Sequence, residues 1–190
     1  MIAVVAEATP QLPDWLAALH RKFGIPPAYA ADRHLAPYSE ADESALIEVA
    51  LNPDGRPVRL VPPAAAAWRA MHQAATVDHL ELIAISGFRS IARQTEIIRE
   101  KLAAGQPLAD ILRSVAAPGF SEHHTGCAID IGSPEHIELD EDFARTAAFR
   151  WLETHATRFS FHLSFPRHNP HGIVYEPWHW CWHRESPGTA

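Results

Sequence analysis

Two short stretches of this chain hold side chains that can do chemistry together. The first is Ser121-Glu122-His123-His124-Thr125-Gly126-Cys127-Ala128-Ile129-Asp130, which offers an imidazole at His123 and a carboxylate at Asp130 seven residues later. The second is Tyr175-Glu176-Pro177-Trp178-His179-Trp180, which adds another imidazole, with Glu176 three residues before it. Two histidines and one aspartate make a three-ligand zinc set, leave a coordination position for water, and leave Glu176 spare as a base. Two neutral imidazoles and one carboxylate leave a charge of about +1 at a Zn2+ site, which acidifies water there. The expectation is one zinc per chain at His123, Asp130 and His179, with Glu176 moving protons between water and the departing amine. An apolar setting would raise the pKa of Glu176 and suit it to that shuttle. Thirteen histidines in 190 residues make a stray His near an Asp unremarkable, so the order of the motifs carries more weight than either pair alone.

A third block precedes these two, Ser86-Gly87-Phe88-Arg89-Ser90. The ordered set Ser-Gly-Phe-Arg, Ser-x-His-x-x-Gly-x-Ala-x-Asp and Glu-Pro-Trp-His resembles the VanY-type D-alanyl-D-alanine carboxypeptidases. These belong to the LAS group of zinc peptidases, which includes lysostaphin-like enzymes and the hedgehog signalling domain. The resemblance spans roughly residues 55–182 and implies the same three metal ligands. It implies contacts from Ser121 to a substrate's terminal carboxylate and a cleft position for Gln94. Arg89, on a turn after a strand, suits an oxyanion partner or a carboxylate clamp. Trp178 is expected in the cleft wall. His124 stands where relatives usually carry Gln, and is expected to line the cleft or support the metal shell. The run Trp180-Cys181-Trp182-His183-Arg184 departs from the Arg-Tyr-Val-Gly-like continuation of relatives, and Cys127 replaces an aliphatic residue. Cys127 and Cys181 are expected as reduced thiols, with a disulfide open to them if the two motif strands are neighbours in an oxidising compartment. His183 is expected to be an exposed histidine.

The implied activity is release of C-terminal D-alanine from peptidoglycan stem peptides. L,D-carboxypeptidase action on tetrapeptides is placed ahead of D,D-carboxypeptidase or endopeptidase action. The contrasting class is a non-catalytic zinc module, which retention of Glu176 and Arg89 disfavours. The ordering rests on location. Residues 1–7 are apolar but short, lack a basic leader and are interrupted by Glu7, so the chain reads as cytoplasmic, or as periplasmic if an export signal has been removed. A cytosolic D,D-carboxypeptidase would consume the pentapeptide needed for cross-linking.

The elements that must position these groups follow from periodicity. A composition of 47% hydrophobic and 21% charged residues is that of a globular domain, and a net charge of −7 gives no basic footprint for nucleic acid. No run approaches the ~18 apolar residues of a membrane span. Residues 10–23 suggest an amphipathic helix using Trp15, Leu16, Leu19 and Phe23, and residues 26–43 a loop. Residues 46–51 and 56–61 flank Asn52-Pro53-Asp54-Gly55 as a hairpin. Helices are expected over 62–77, 91–104, 108–115 and 142–157, and strands over 80–86, 127–131, 159–165 and 174–182. The sum is a single α+β domain, with a central, mostly antiparallel sheet flanked by helices, of the hedgehog/D-Ala-D-Ala-peptidase type. Residues 1–54 pack a helix, loop and first hairpin strand on the core, 55–182 form the peptidase core, and 183–190 a loose tail.

Overall fold

The computed structural model describes residues 12–184. The apolar start at residues 1–7 and the end of the tail lie outside them.

Helix α1 (Asp14–Phe23) closes at Gly24 and buries Leu16 and His20. Leu16 is buried and Leu19 and Phe23 are half-buried, as the spacing suggested, but Trp15 is 56% exposed and His20 takes its place inside. The reason is tertiary: His20 Nε2 reaches the carbonyl of Pro118 at 2.8 Å, which fixes the helix's rotation. The expected loop over 26–43 contains a one-turn helix, α2 (Tyr29–Asp32).

Strands β1 (Ile47–Leu51) and β2 (Pro57–Leu60) pair antiparallel. Asn52 closes their turn by accepting hydrogen bonds from the amides of Asp54 and Arg56 on its side-chain oxygen, at 3.1 and 2.9 Å. Helix α3 (Pro62–Val77) starts on two prolines, whose missing donors are not needed in a first turn, and buries Ala64, Ala65, Trp68, Met71 and Ala75. Met71 is fully buried, so its truncation to Ala would cost about 2–5 kcal/mol.

Strand β3 (Ile83–Ser86) leads through Gly87, Phe88 and Arg89 into α4 (Ile91–Ala103), whose first turn is capped by Ser90 Oγ accepting from the Arg93 amide at 3.1 Å. After α5 (Leu108–Ser114) comes a 3-10 turn (Glu122–Thr125), which ends at Gly126 with φ 67 and delivers β4 (Ala128–Gly132). The expected helix over 142–157 is three pieces: a 3-10 turn (Glu141–Arg145), α6 (Ala147–His155) and a second 3-10 turn (Ala156–Phe159). Thr146 makes the break, because its hydroxyl accepts from the Phe149 amide at 3.1 Å and restarts the helix there. Strands β5 (Phe161–Leu163) and β6 (His179–Trp182) complete the elements, both shorter than their apolar patterns.

Strands β3, β4, β6 and β5 form, in that order, an antiparallel sheet. Its main core lies against α3 and α6 and is built from residues such as Leu60, Trp68, Ile129, Ile131, Leu152 and Phe161. A second apolar cluster joins Ile25 and Tyr29 to Ile98, Ile111, Leu112 and Phe120, and so ties the N-terminal residues to α4 and α5. The architecture is the single antiparallel α+β domain expected. No helix among the described residues is long and apolar enough to cross a membrane.

Candidate active site

The β4–β6 ladder sets the site. Asp130 lies directly opposite His179 across it, and Ser86 opposite Asp130 on the other side. Side chains opposite one another in an antiparallel pair leave the same face. One donor atom each from His123, Asp130 and His179 fall within 4.8 Å of one another, and all three residues are buried. Sequence positions 123, 130 and 179 therefore meet at one point.

The tautomers follow from the partners. His123 Nδ1 faces the Gly87 carbonyl at 2.7 Å; a carbonyl only accepts, so Nδ1 carries hydrogen and Nε2 is left for the pocket, 3.2 Å from Asp130. Gly87 is required where the chain passes β2: a Cβ there would stand 2.5 Å from the Arg59 carbonyl. His179 donates through Nε2 to Glu122 at 2.8 Å and presents Nδ1 to Asp130 at 3.0 Å.

Burial alone would lower the pKa of His179, but its hydrogen bonds to Asp130 and Glu122 raise it to about 10. Burial opposes ionisation of Glu122, yet His179 holds its carboxyl down at about 2. Asp130 is held below the ordinary carboxylate range by His123 and His179 despite burial, and burial keeps His123 neutral. Two carboxylates thus hold a proton on His179 where a cation can replace it. This donor set fits zinc: two imidazoles, each braced by an outer partner, and a carboxylate.

The three donors line a cleft of about 490 Å³ together with Arg89, Ser121, Glu176 and Trp178. Glu176 is 7% exposed, and burial pushes its carboxyl up to about 7. Its backbone is pinned at both ends: the Glu176 amide donates to Phe165 at 3.1 Å, and its carbonyl accepts from the His179 amide at 3.1 Å. Arg89 donates through Nη1 to Gln94 at 3.1 Å and places Nη2 3.6 Å from Asp130.

Two expectations change, and one unassigned residue gains a place. Gln94 reaches the cleft, but its oxygen is taken by Arg89 and its amide nitrogen by the Ala116 carbonyl at 2.6 Å, so it positions Arg89. His124 does not line the cleft. It is fully buried, with Nδ1 donating to the Arg89 carbonyl at 2.6 Å and Nε2 accepting from the Gly119 amide at 3.1 Å. Burial lowers its pKa to about 4, in keeping with a neutral ring. Glu122, with no role assigned from the sequence, is the outer partner of His179. Its one sequence signal was a carboxylate adjoining a candidate ligand. Cys127 and Cys181 are both free thiols.

A His/Asp/His pocket on an antiparallel sheet, with an ionisable glutamate across the cleft, is the arrangement of a zinc peptidase. The chain belongs to the VanY family: the D-alanyl-D-alanine carboxypeptidase profile matches residues 57–185. YodJ, a protein of Bacillus subtilis (strain 168) that carries the name carboxypeptidase, is 40% identical over 121 residues, covering 61% of this chain and 43% of YodJ. The chain therefore spans less than half of that relative. Among solved structures, the LdcB LD-carboxypeptidase matches with a TM-score of 0.67 at 30% identity, covering 78% of this chain and 72% of LdcB. A vancomycin-resistance D,D-pentapeptidase VanY in complex with Zn(II) matches at 0.57 and 27% identity, covering 77% of this chain and 83% of the other.

Proposed function

We propose that this protein is a zinc-dependent carboxypeptidase that releases C-terminal D-alanine from peptidoglycan stem peptides, acting first on the L,D bond of tetrapeptides. The observation that carries the reading is the meeting of His123, Asp130 and His179 beside buried Glu176 in a cleft that also holds Arg89.

A zinc ion held by His123, Asp130 and His179 supplies Lewis acidity to the scissile carbonyl and to water. Glu176, ionised, takes one proton from the attacking water and hands it to the amide nitrogen as the C–N bond breaks. A carboxyl held near neutrality suits both halves of that transfer. Arg89, steadied by Gln94 and Asp130, offers N–H groups to the substrate's terminal carboxylate or to the developing oxyanion. Ser121 and Trp178 shape the cleft beside it.

Similarity to LdcB supports the L,D preference, as does the cytoplasmic placement proposed with it, where D,D activity would consume the cross-linking precursor. Purified tetrapeptide and pentapeptide muropeptides, incubated separately and weighed, test the ordering. Loss of one D-alanine from the tetrapeptide is expected. Cleavage of the pentapeptide alone would reverse the preference, and a larger mass loss would mark an endopeptidase.

A further inference from the structure

Strand β6 goes on past His179 with the same alternation. Residues 179, 181 and 183 recur at period two, so their side chains leave one face, while Trp180 and Trp182 leave the other. The His183 amide still donates to the Ser160 carbonyl at 2.9 Å, which carries the extended pairing one residue beyond the strand. The face that brings His179 to the catalytic pocket therefore brings Cys181 and His183 beside it.

Glu122 lies over this pair. One donor atom each from Glu122, Cys181 and His183 lie within 4.8 Å of one another, a grouping separate from His123, Asp130 and His179. Cys181 is buried, at 4% exposed, while His183 is exposed. His162 on β5 pairs in register with Cys181, and its ring lies 5.4 Å from that of His183. A hollow of about 330 Å³, bordered by Tyr38, Glu122, His162 and His183, leads in; His123, Asp130 and Glu176 do not border it. The donors have capacity to spare. Glu122 gives Oε2 to His179, and its Oε1 meets the Tyr38 hydroxyl only at 3.5 Å. The Cys181 thiol meets the Trp182 carbonyl at 3.8 Å, a weak contact.

We propose that Cys181, His183 and Glu122 form a second metal site that takes a borderline-soft divalent cation of the zinc type, with the His162 ring beside it. Sulfur, nitrogen and carboxylate donors select zinc over magnesium or calcium, which take oxygen alone. Binding breaks the Cys181 S–H bond, releases that proton to solvent and forms the sulfur–metal bond. Three protein ligands would tie β6 to the 3-10 turn that carries His123, with a coordination position left for water. Glu122 serves both centres, with one oxygen on the His179 ring and the other toward the second ion.

Cobalt(II) titration of chelator-stripped protein tests this, because a thiolate ligand gives a sulfur-to-cobalt charge-transfer band and the catalytic set contains no sulfur. Two equivalents and that band are expected for the wild type. Cys181→Ser should lose the band and one equivalent, whereas His123→Ala should lose the other equivalent and keep the band. His183→Ala, at an exposed position outside the core, should weaken the band-forming event about tenfold or more. It decides the matter even if Cys181→Ser folds poorly. A single equivalent without the band, a band that survives Cys181→Ser, or a band indifferent to His183→Ala would overturn the proposal. None of these outcomes bears on the muropeptide test of the catalytic site.

Discussion

Glu122 accepts a hydrogen bond from Nε2 of His179 at 2.8 Å, and this bond turns the other ring nitrogen toward Asp130. An outer carboxylate of this kind fixes a ligand's tautomer and raises its basicity. Glu122→Ala should therefore weaken zinc binding about 10–100-fold, with much of the activity restored by excess zinc. Competition against a chelator of known affinity measures this. Unchanged affinity would remove Glu122 from the metal shell.

Glu176 contributes no donor atom to the metal cluster, so Glu176→Ala should keep zinc while turnover falls at least about a hundredfold. The base must be ionised to accept a proton, so kcat/KM should fall as the solution becomes more acid. Burial pushes Glu176 up to about 7, and a cation in the neighbouring pocket pulls it back, so the acid limb should lie between the ordinary glutamate value of ~4.3 and about 7. A pH–rate profile flat across that interval would remove Glu176 as the base.

Arg89 is held at one end by Gln94 and faces Asp130 with the other, which aims a planar fork at the cleft. Lysine cannot reproduce that fork. Arg89→Lys should lower kcat/KM on a free-carboxylate peptide about tenfold or more. If the fork clamps the terminal carboxylate, wild type and variant should differ little on the same peptide capped as an amide. A variant equally impaired on both substrates would assign Arg89 to the oxyanion instead.

His124 bridges two backbone groups inside the protein, the Gly119 amide and the Arg89 carbonyl. His124→Leu would leave both unpaired at about 1–3 kcal/mol each. Glutamine has one donor and one acceptor end and should recover most of the loss. Thermal unfolding of the three proteins gives the order His, Gln, Leu if the bridge is structural. A Leu variant as stable as the wild type would contradict it.

The metal ligands were legible because their residue types are few and their surroundings strongly patterned: Asp130 alternates with Ile129 and Ile131 in a strand, and His179 stands between tryptophans. Pro62 and Ser90 mark helix starts through local chemistry, so α3 and α4 appear almost where expected. What stayed hidden depends on distant partners. Glu122 has meaning only through a histidine 57 residues away. Gln94 could not be seen to be occupied without the carbonyl of Ala116. Trp15 is turned outward because His20, one turn along, is anchored to Pro118. Thr146 carries a helix-breaking cap that an apolar period does not reveal.

Asp130 and His179 sit 49 residues apart in the chain and face one another only once β4 and β6 are hydrogen-bonded. A chain that lacks this ladder cannot bring Asp130 and His179 to the same ion. Metal capture during refolding therefore clocks the closing of the sheet.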